Sequence, residues 1–215
     1  MGAEVKRRIA WPTAVRLSEY LIILEDLAES DVEVVSSREL AARYGNNANQ
    51  VRQDLFCLKH TGRVGQGYGV KELERTIREA LGLLSPRGVA IVGCGRLGTT
   101  LALHVPLANY GFHLVAAFDV SPRIIGTNVG SVRVDPADRI PEICRDRNVD
   151  LAALSVPKEA AQESAQRLVE GGVRGILNYT RVRLQLPEDV VVHDRQIICS
   201  FMQLSYAAFR QEKSR

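Results

Sequence analysis

An α/β chain of two unlike domains follows from three features of the sequence. An apolar run, Val89–Val92, enters the turn Gly93-Cys-Gly-Arg-Leu-Gly98, and a helix-like pattern follows it. Strand-like and helix-like segments then alternate to about residue 193. Before residue 84 lie short helical patterns that close on a glycine-rich segment. Alternating βα units wind into a parallel sheet, and short helices joined by tight turns form a compact separate domain. The predicted organisation is an N-terminal winged helix-turn-helix domain over 1–84, a Rossmann-like doubly wound parallel-sheet domain over 88–193, and a C-terminal helix over 194–215.

Leu17, Tyr20, Leu21, Leu24 and Leu27 recur at helical spacing and predict an amphipathic helix from about Ala14 to Glu29. Val32 to Val35 is a short apolar connection. Ser36-Ser-Arg-Glu39 is a capping box, the helix it opens reaches Tyr44, and Gly45 supplies a left-handed stop. Asn47 opens a third helix in which Val51, Leu55 and Leu58 face the core. Asn49, Gln50, Arg52 and Gln53 are left outward near its N-terminal end. Such a second helix presents side chains to base edges in the major groove, and Arg, Asn and Gln are the types that contact guanine or adenine in pairs. A plain helical hairpin with a solvated polar face carries the same pattern.

Gly62-Arg-Val-Gly-Gln-Gly-Tyr-Gly69 holds four glycines in eight residues and shifts the balance toward a winged helix. Arg63 in this hairpin is placed to reach phosphate or the minor groove, with Lys59 and Tyr68 assigned to the same DNA-binding set. Charge is segregated along this domain. Residues 1–18 carry four Lys/Arg against one Glu, 19–39 carry seven acids against Arg38, and 40–71 carry five Lys/Arg against Asp54. That suits a face that meets a polyanion. Val70 to Leu84 reads as one more helix and Ser85 to Gly88 as a linker.

In the glycine turn, Gly93 permits the bend, Gly95 lets backbone approach a pyrophosphate, and Gly98 lets helix and strand pack closely. Arg96, Leu97 and Cys94 complete the turn, whose helix N-terminus offers amides to phosphate. A second strand, His113–Asp119, ends on an acid 21 residues past Gly98. An acid there accepts from the ribose hydroxyls and favours NAD(H), although Arg123 nearby is a basic residue able to accept a 2′-phosphate. Cys94 lies near a helix N-terminus, which lowers a thiol pKa; a small side chain that simply fits is the plainer reading. The alternation continues with a helix over Pro136–Arg147, a strand over Asp150–Val156, a helix over Lys158–Glu170, and strands at Gly175–Asn178 and Val190–Val192. Val156, Pro157, Asn178 and Tyr179 lie at strand carboxyl ends, where ligands sit in such sheets. The last segment, Gln196–Phe209, has one broad apolar face that must pack on its own sheet or, by exchange, on a second subunit.

Composition excludes several classes. With 46% hydrophobic and 25% charged residues the chain reads as an ordinary soluble protein. No apolar run approaches the roughly 18 residues of a membrane span, and the basic N-terminus lacks the apolar core of a secretory signal. Cys57, Cys94, Cys144 and Cys199 are widely spaced, which argues against a disulfide framework or a metal site and for the cytoplasm. His104, His113 and His193 sit in no recognisable catalytic motif, so the cofactor reads as a signal and no catalytic residue is assigned. A small NAD-dependent dehydrogenase is the alternative.

The chain resembles the Rex family of redox-sensing transcriptional repressors over nearly all of its length. The stretches that carry the resemblance are Val51-Arg-Gln-Asp-Leu55, Gly62–Tyr68, Val92–Gly98, Ala117-Phe-Asp119, Ser155–Gln162 and Gly175–Tyr179. It implies a homodimer that binds double-stranded operator DNA through the winged helix, binds NAD(H) in the Rossmann domain, and exchanges its C-terminal helix between subunits. NADH then favours the form that leaves DNA. The family's switch residues align on Arg16, His104 and Gln196, where the family has Arg, Tyr and Asp. With Gln196 in place of Asp no charge pair with Arg16 forms there. Asn178-Tyr-Thr-Arg181 likewise places a charge where the family is apolar, so the sensing of another nucleotide by the same fold stays open.

Overall fold

The computed structural model describes residues 9–58, 62 and 67–212. They form two compact units that divide between Ser85 and Pro86.

In the first unit, helix α1 (Trp11–Glu29) begins three residues earlier than the apolar spacing predicts. Pro12 explains this, because its fixed φ and missing N–H suit a first helical turn. Strand β1 (Val34–Val35) leads to α2 (Ser37–Tyr44), whose cap Ser36 accepts the Glu39 N–H at 3.1 Å and whose stop Gly45 sits at φ 79°. Helix α3 (Ala48–Cys57) is capped by Asn47, which accepts the Gln50 N–H at 2.9 Å. Strand β2 (Tyr68–Gly69) pairs antiparallel with β1 and runs directly into α4 (Val70–Ala80). α4 stops four residues short of the expected Leu84. Leu17, Tyr20, Leu21, Leu24 and Leu27 of α1, Leu40 of α2, Val51 and Leu55 of α3, and Leu73 and Ile77 of α4 make the core. Leu58, expected in that core, is only half-buried.

The second unit is a seven-stranded sheet. Its elements are β3 (Arg87–Val92), α5 (Arg96–His104), β4 (Phe112–Asp119), β5 (Asn128–Val129), β6 (Val132–Pro136), α6 (Ile140–Asp146), β7 (Val149–Leu154), α7 (Lys158–Glu170), β8 (Gly175–Asn178), β9 (Val191–Asp194) and α8 (Ile197–Glu212). The spatial order is β5-β6-β4-β3-β7-β8-β9, all parallel except the antiparallel edge pair β5–β6. The edge pair has no counterpart among the expected elements, and the helix expected over 136–147 starts four residues later, because Pro136 ends β6 and α6 starts at Ile140.

Alternation along each strand fills two cores. Ala90, Val92, Ala116, Phe118, Ala152, Leu154 and Ile176 face α6 and α7 residues such as Ile140, Ile143, Ala161, Ala165 and Leu168. Ile91, Ala117, Val134 and Ala153 face the opposite side, where Leu101, Leu114, Leu177 and Tyr179 are only partly covered. Ile197 to Arg210 of α8 are exposed throughout, Phe201, Met202, Leu204 and Tyr206 to 64%, 64%, 65% and 64%. No helix among the described residues is long and apolar enough to cross a membrane.

Candidate functional site

The carboxyl ends of β3 and β7 lie side by side where the strand order reverses, the chain running from β3 to β4 on one side and returning from β6 through α6 to β7 on the other. In open parallel sheets this reversal leaves the crevice that holds a ligand. Gly93 leaves β3 at φ 90°, where a side chain is strained, and a Cβ there would lie 2.6 Å from the Ser155 carbonyl oxygen. A Cβ on Gly98 would lie 2.0 Å from the Gly93 oxygen, so helix α5 meets the turn backbone to backbone. Gly95 differs from both: a Cβ there meets no protein atom within 4 Å. Two glycines are thus required by the protein's own packing, and the third faces open space in front of the α5 N-terminus. Arg96 and Leu97, in the first turn of α5, are exposed.

Asp119 at the end of β4 is half-buried and organises the turn. Its carboxylate accepts the Cys94 N–H at 2.7 Å and the Ser121 N–H at 2.8 Å, one on each oxygen. Each oxygen keeps a lone pair for a ribose hydroxyl, and among the described residues no cation pairs with it. Arg123, four residues on, is exposed. Across the crevice the Ser155 hydroxyl donates to the Gly93 carbonyl at 2.9 Å, Val156 is half-buried beside Gly93, and Pro157 is exposed at the start of α7. Tyr179 is half-buried against the less covered core.

One expectation at this site is corrected. Asn178 is fully buried, and its amide donates to Val182 O at 2.9 Å and Asp194 Oδ1 at 2.7 Å while its oxygen accepts from Thr180 N and Oγ1 at 3.0 and 2.7 Å. The side chain shapes the loop after β8 and joins it to β9, with no atom left for a ligand. Burial first, then the Asp119 charge, push the Cys94 thiol up to about 11. The plainer reading of Cys94 as a small side chain that fits is the one the structure supports.

In the first unit α3 presents Asn47, Asn49, Arg52 and Gln53 on its exposed side. Arg52 is braced: its guanidinium donates to Ser37 Oγ at 3.0 Å and to Asn49 Oδ1. Gln50 is half-buried, its amide donating to Asp54 Oδ1 at 3.1 Å. Lys59 and Arg63 lie outside the described residues. Tyr68 is corrected: it is only 9% exposed and its ring lies where a Cβ on Gly62 would be, so it packs against Gly62 instead of facing DNA.

Asp54 is the residue that the sequence reading missed. It is buried on α3 and accepts from Arg16 Nε at 2.7 Å, Arg16 Nη2 at 2.6 Å, Tyr20 Oη at 3.0 Å, Gln50 Nε2 at 3.1 Å and Thr13 Oγ1 at 3.4 Å. Burial opposes its ionisation, but the bonds from Arg16, Gln50 and Tyr20 together hold the carboxyl below its ordinary range. Arg16 is raised in turn, chiefly by its hydrogen bond to Asp54, and burial and then the same carboxylate push the Tyr20 phenol up. Arg16 therefore has an acidic partner within its own unit. His104 and Gln196 are both exposed, Gln196 accepting the Cys199 N–H at 2.9 Å at the start of α8. Among the described residues no cluster of His, Cys, Asp and Glu is arranged to hold a metal ion.

Two family models match the chain: a CoA binding domain over residues 85–182 and a putative DNA-binding protein N-terminus over residues 8–55. The redox-sensing transcriptional repressor Rex of Caldicellulosiruptor saccharolyticus is 37% identical over 201 residues, covering 94% of this chain and 92% of its own. Rex of Clostridium acetobutylicum is 35% identical over 210 residues, covering 98% of each. Among solved structures, RSP in complex with β-NAD+ and operator DNA matches at a TM-score of 0.88 with 33% identity, over 95% of this chain and 94% of that one. RSP with β-NADH matches at 0.86 with 32% identity, over 95% and 96%. With the glycine turn, the parallel sheet and the helix-turn-helix unit in one chain, and identity above a third over nearly full length, the chain belongs to the Rex family of redox-sensing transcriptional repressors.

Proposed function

We infer that this chain is a dimeric DNA-binding repressor whose sheet unit binds NAD(H), with NADH favouring the form that leaves operator DNA. The observation that carries this reading is Gly95: it faces open space at the sheet's reversal point while its two partner glycines are packed, and Asp119 stands beside it with free lone pairs. RSP, with the same overall fold, is known with β-NAD+ and operator DNA and with β-NADH. The exposed apolar face of α8 and the partly covered core that includes Leu101, Leu114 and Leu177 suit a homodimer in which segment 194–215 covers a second copy. The predicted domains, 1–84 and 88–193, then divide the labour between DNA and nucleotide. Arg16, His104 and Gln196 are the residues we assign to the coupling between them. In this reading the nucleotide is sensed and not consumed, the protein is no enzyme, and it acts in the cytoplasm.

The match to a CoA binding domain favours one second reading, a repressor of the same fold that senses another nucleotide. Equilibrium titration with NADH, NAD+, NADPH, ATP and coenzyme A separates the two. Tightest binding of NADH supports NAD(H) sensing, and tightest binding of coenzyme A or ATP contradicts it.

A further inference from the structure

The buried carboxylate of Asp54 is also in contact with one of the groove-facing candidates. Gln50 is the third helical residue of α3, at the end of the helix that enters a major groove, and its carboxamide nitrogen lies 3.1 Å from Asp54 Oδ1. That orientation is set by chemistry. Asp54 is ionised and can only accept, so the carboxamide oxygen is repelled from it and the nitrogen must face it. The carboxylate is itself immobilised by Arg16, Tyr20 and Thr13 of α1. Gln50 therefore cannot exchange its two ends as a free glutamine does. Its Oε1 has no partner among the described residues. Asn47 contrasts with it: there the oxygen is spent on capping Gln50 N, which leaves the amide nitrogen outward.

We propose that Asp54 is a positioning residue for base recognition, holding Gln50 with its oxygen toward the groove, so that Gln50 selects a base carrying an exocyclic amino group. In the major groove such a donor is adenine N6 or cytosine N4, whereas guanine offers only the acceptors N7 and O6. The inference rests on the reading of α3 as a recognition helix.

The test uses the full-length protein and a duplex that it selects from a randomised pool. Adenines of that duplex are replaced one at a time by purine, and cytosines by pyrimidin-2-one, each lacking the amino group. Binding of wild type and Gln50→Ala is compared on every duplex as a double-mutant cycle. Gln50→Ala leaves Asp54 its partners on α1, so the fold is kept, and the pairing defect of each analogue cancels in the cycle. At one position per half-site, removal of the amino group should weaken wild type roughly tenfold beyond its effect on Gln50→Ala. Asp54→Asn, where circular dichroism shows it folded, should reduce that coupling, since an asparagine carboxamide can accept from the glutamine nitrogen or donate to its oxygen and so pairs with either end. Coupling of Gln50 to guanine O6, read with 2-aminopurine in its place, or to no base at all, overturns the inference while leaving the DNA-binding reading intact. Failure to select any duplex overturns both.

Discussion

Arg16 on α1 and Asp54 on α3 form a two-point ion pair, Nε to Oδ2 at 2.7 Å and Nη2 to Oδ1 at 2.6 Å. Bidentate guanidinium–carboxylate pairing fixes angle as well as distance, so the pair sets how the candidate recognition helix lies on the first. Replacing Asp54 by Ala leaves the buried Tyr20 hydroxyl and a mostly covered guanidinium without their acceptor. Losing one partner of a buried pair costs about 3–5 kcal/mol, and Arg16's residual exposure of 20% places the expected loss at about 2–3 kcal/mol. Urea unfolding measures it, and a loss below about 0.5 kcal/mol contradicts the role given to the pair.

The same pair carries a pH signature. Asp54's folded pKa is depressed, so its contribution is complete above the unfolded value of about 3.9 and is lost as pH falls through the folded value. The stability gap between wild type and Asp54→Asn should stay constant from pH 5 to 7 and shrink below pH 4. A gap that widens on acidification would show the sign to be wrong.

Gly95 and Gly98 should separate folding from binding. Gly98→Ala drives a Cβ to 2.0 Å from the Gly93 oxygen and should destabilise the sheet unit, lowering thermal stability and nucleotide binding together. Gly95→Ala meets no protein atom, so its melting temperature without ligand should match wild type while NADH affinity drops at least about tenfold. Unchanged NADH affinity in Gly95→Ala would place the diphosphate elsewhere.

Phe201→Asp with Leu204→Asp tests the face of α8. Both side chains are more than 60% exposed in the single chain, so the charges cost its fold little. Analytical ultracentrifugation should show monomers and operator affinity should fall, because paired half-sites need a dimer. A dimer of unchanged affinity would exclude α8 from the interface.

Cys94 should be slow to react. With its thiol pushed up to about 11 and buried, alkylation at pH 8 should be far slower than at exposed Cys57, and unfolding should equalise them. Labelling of native Cys94 as fast as Cys57 would restore it as an oxidant-sensitive thiol.

Local signals were legible in the sequence and long-range ones were not. The caps Ser36 and Asn47, the Gly45 stop, the glycine turn, and the bounds of α7 and β8 are each written within a few residues. The edge pair β5–β6 is not, because a two-residue strand with Gly130 in its turn gives no periodicity to count. Tyr68 and Asn178 were misplaced for a different reason. Their residue types suit ligand contact, and only the surrounding atoms show that the ring packs at Gly62 and that the amide is spent on Val182, Asp194 and Thr180. Asp54 left a usable trace: it lies between Val51 and Leu55 on the inward side of α3, where an acid needs a partner. Arg16 stands beside Leu17 on α1, but the 38-residue separation hides the pairing until both helices are placed.

Control of DNA binding by nucleotide at the Gly93–Gly98 turn is measured by fluorescence anisotropy on the selected operator duplex with NADH or NAD+ added. NADH should weaken DNA binding while NAD+ leaves it intact or strengthens it, and Gly95→Ala should keep DNA binding but lose the NADH response. Operator affinity that is the same with NADH, with NAD+ and with neither would contradict such control.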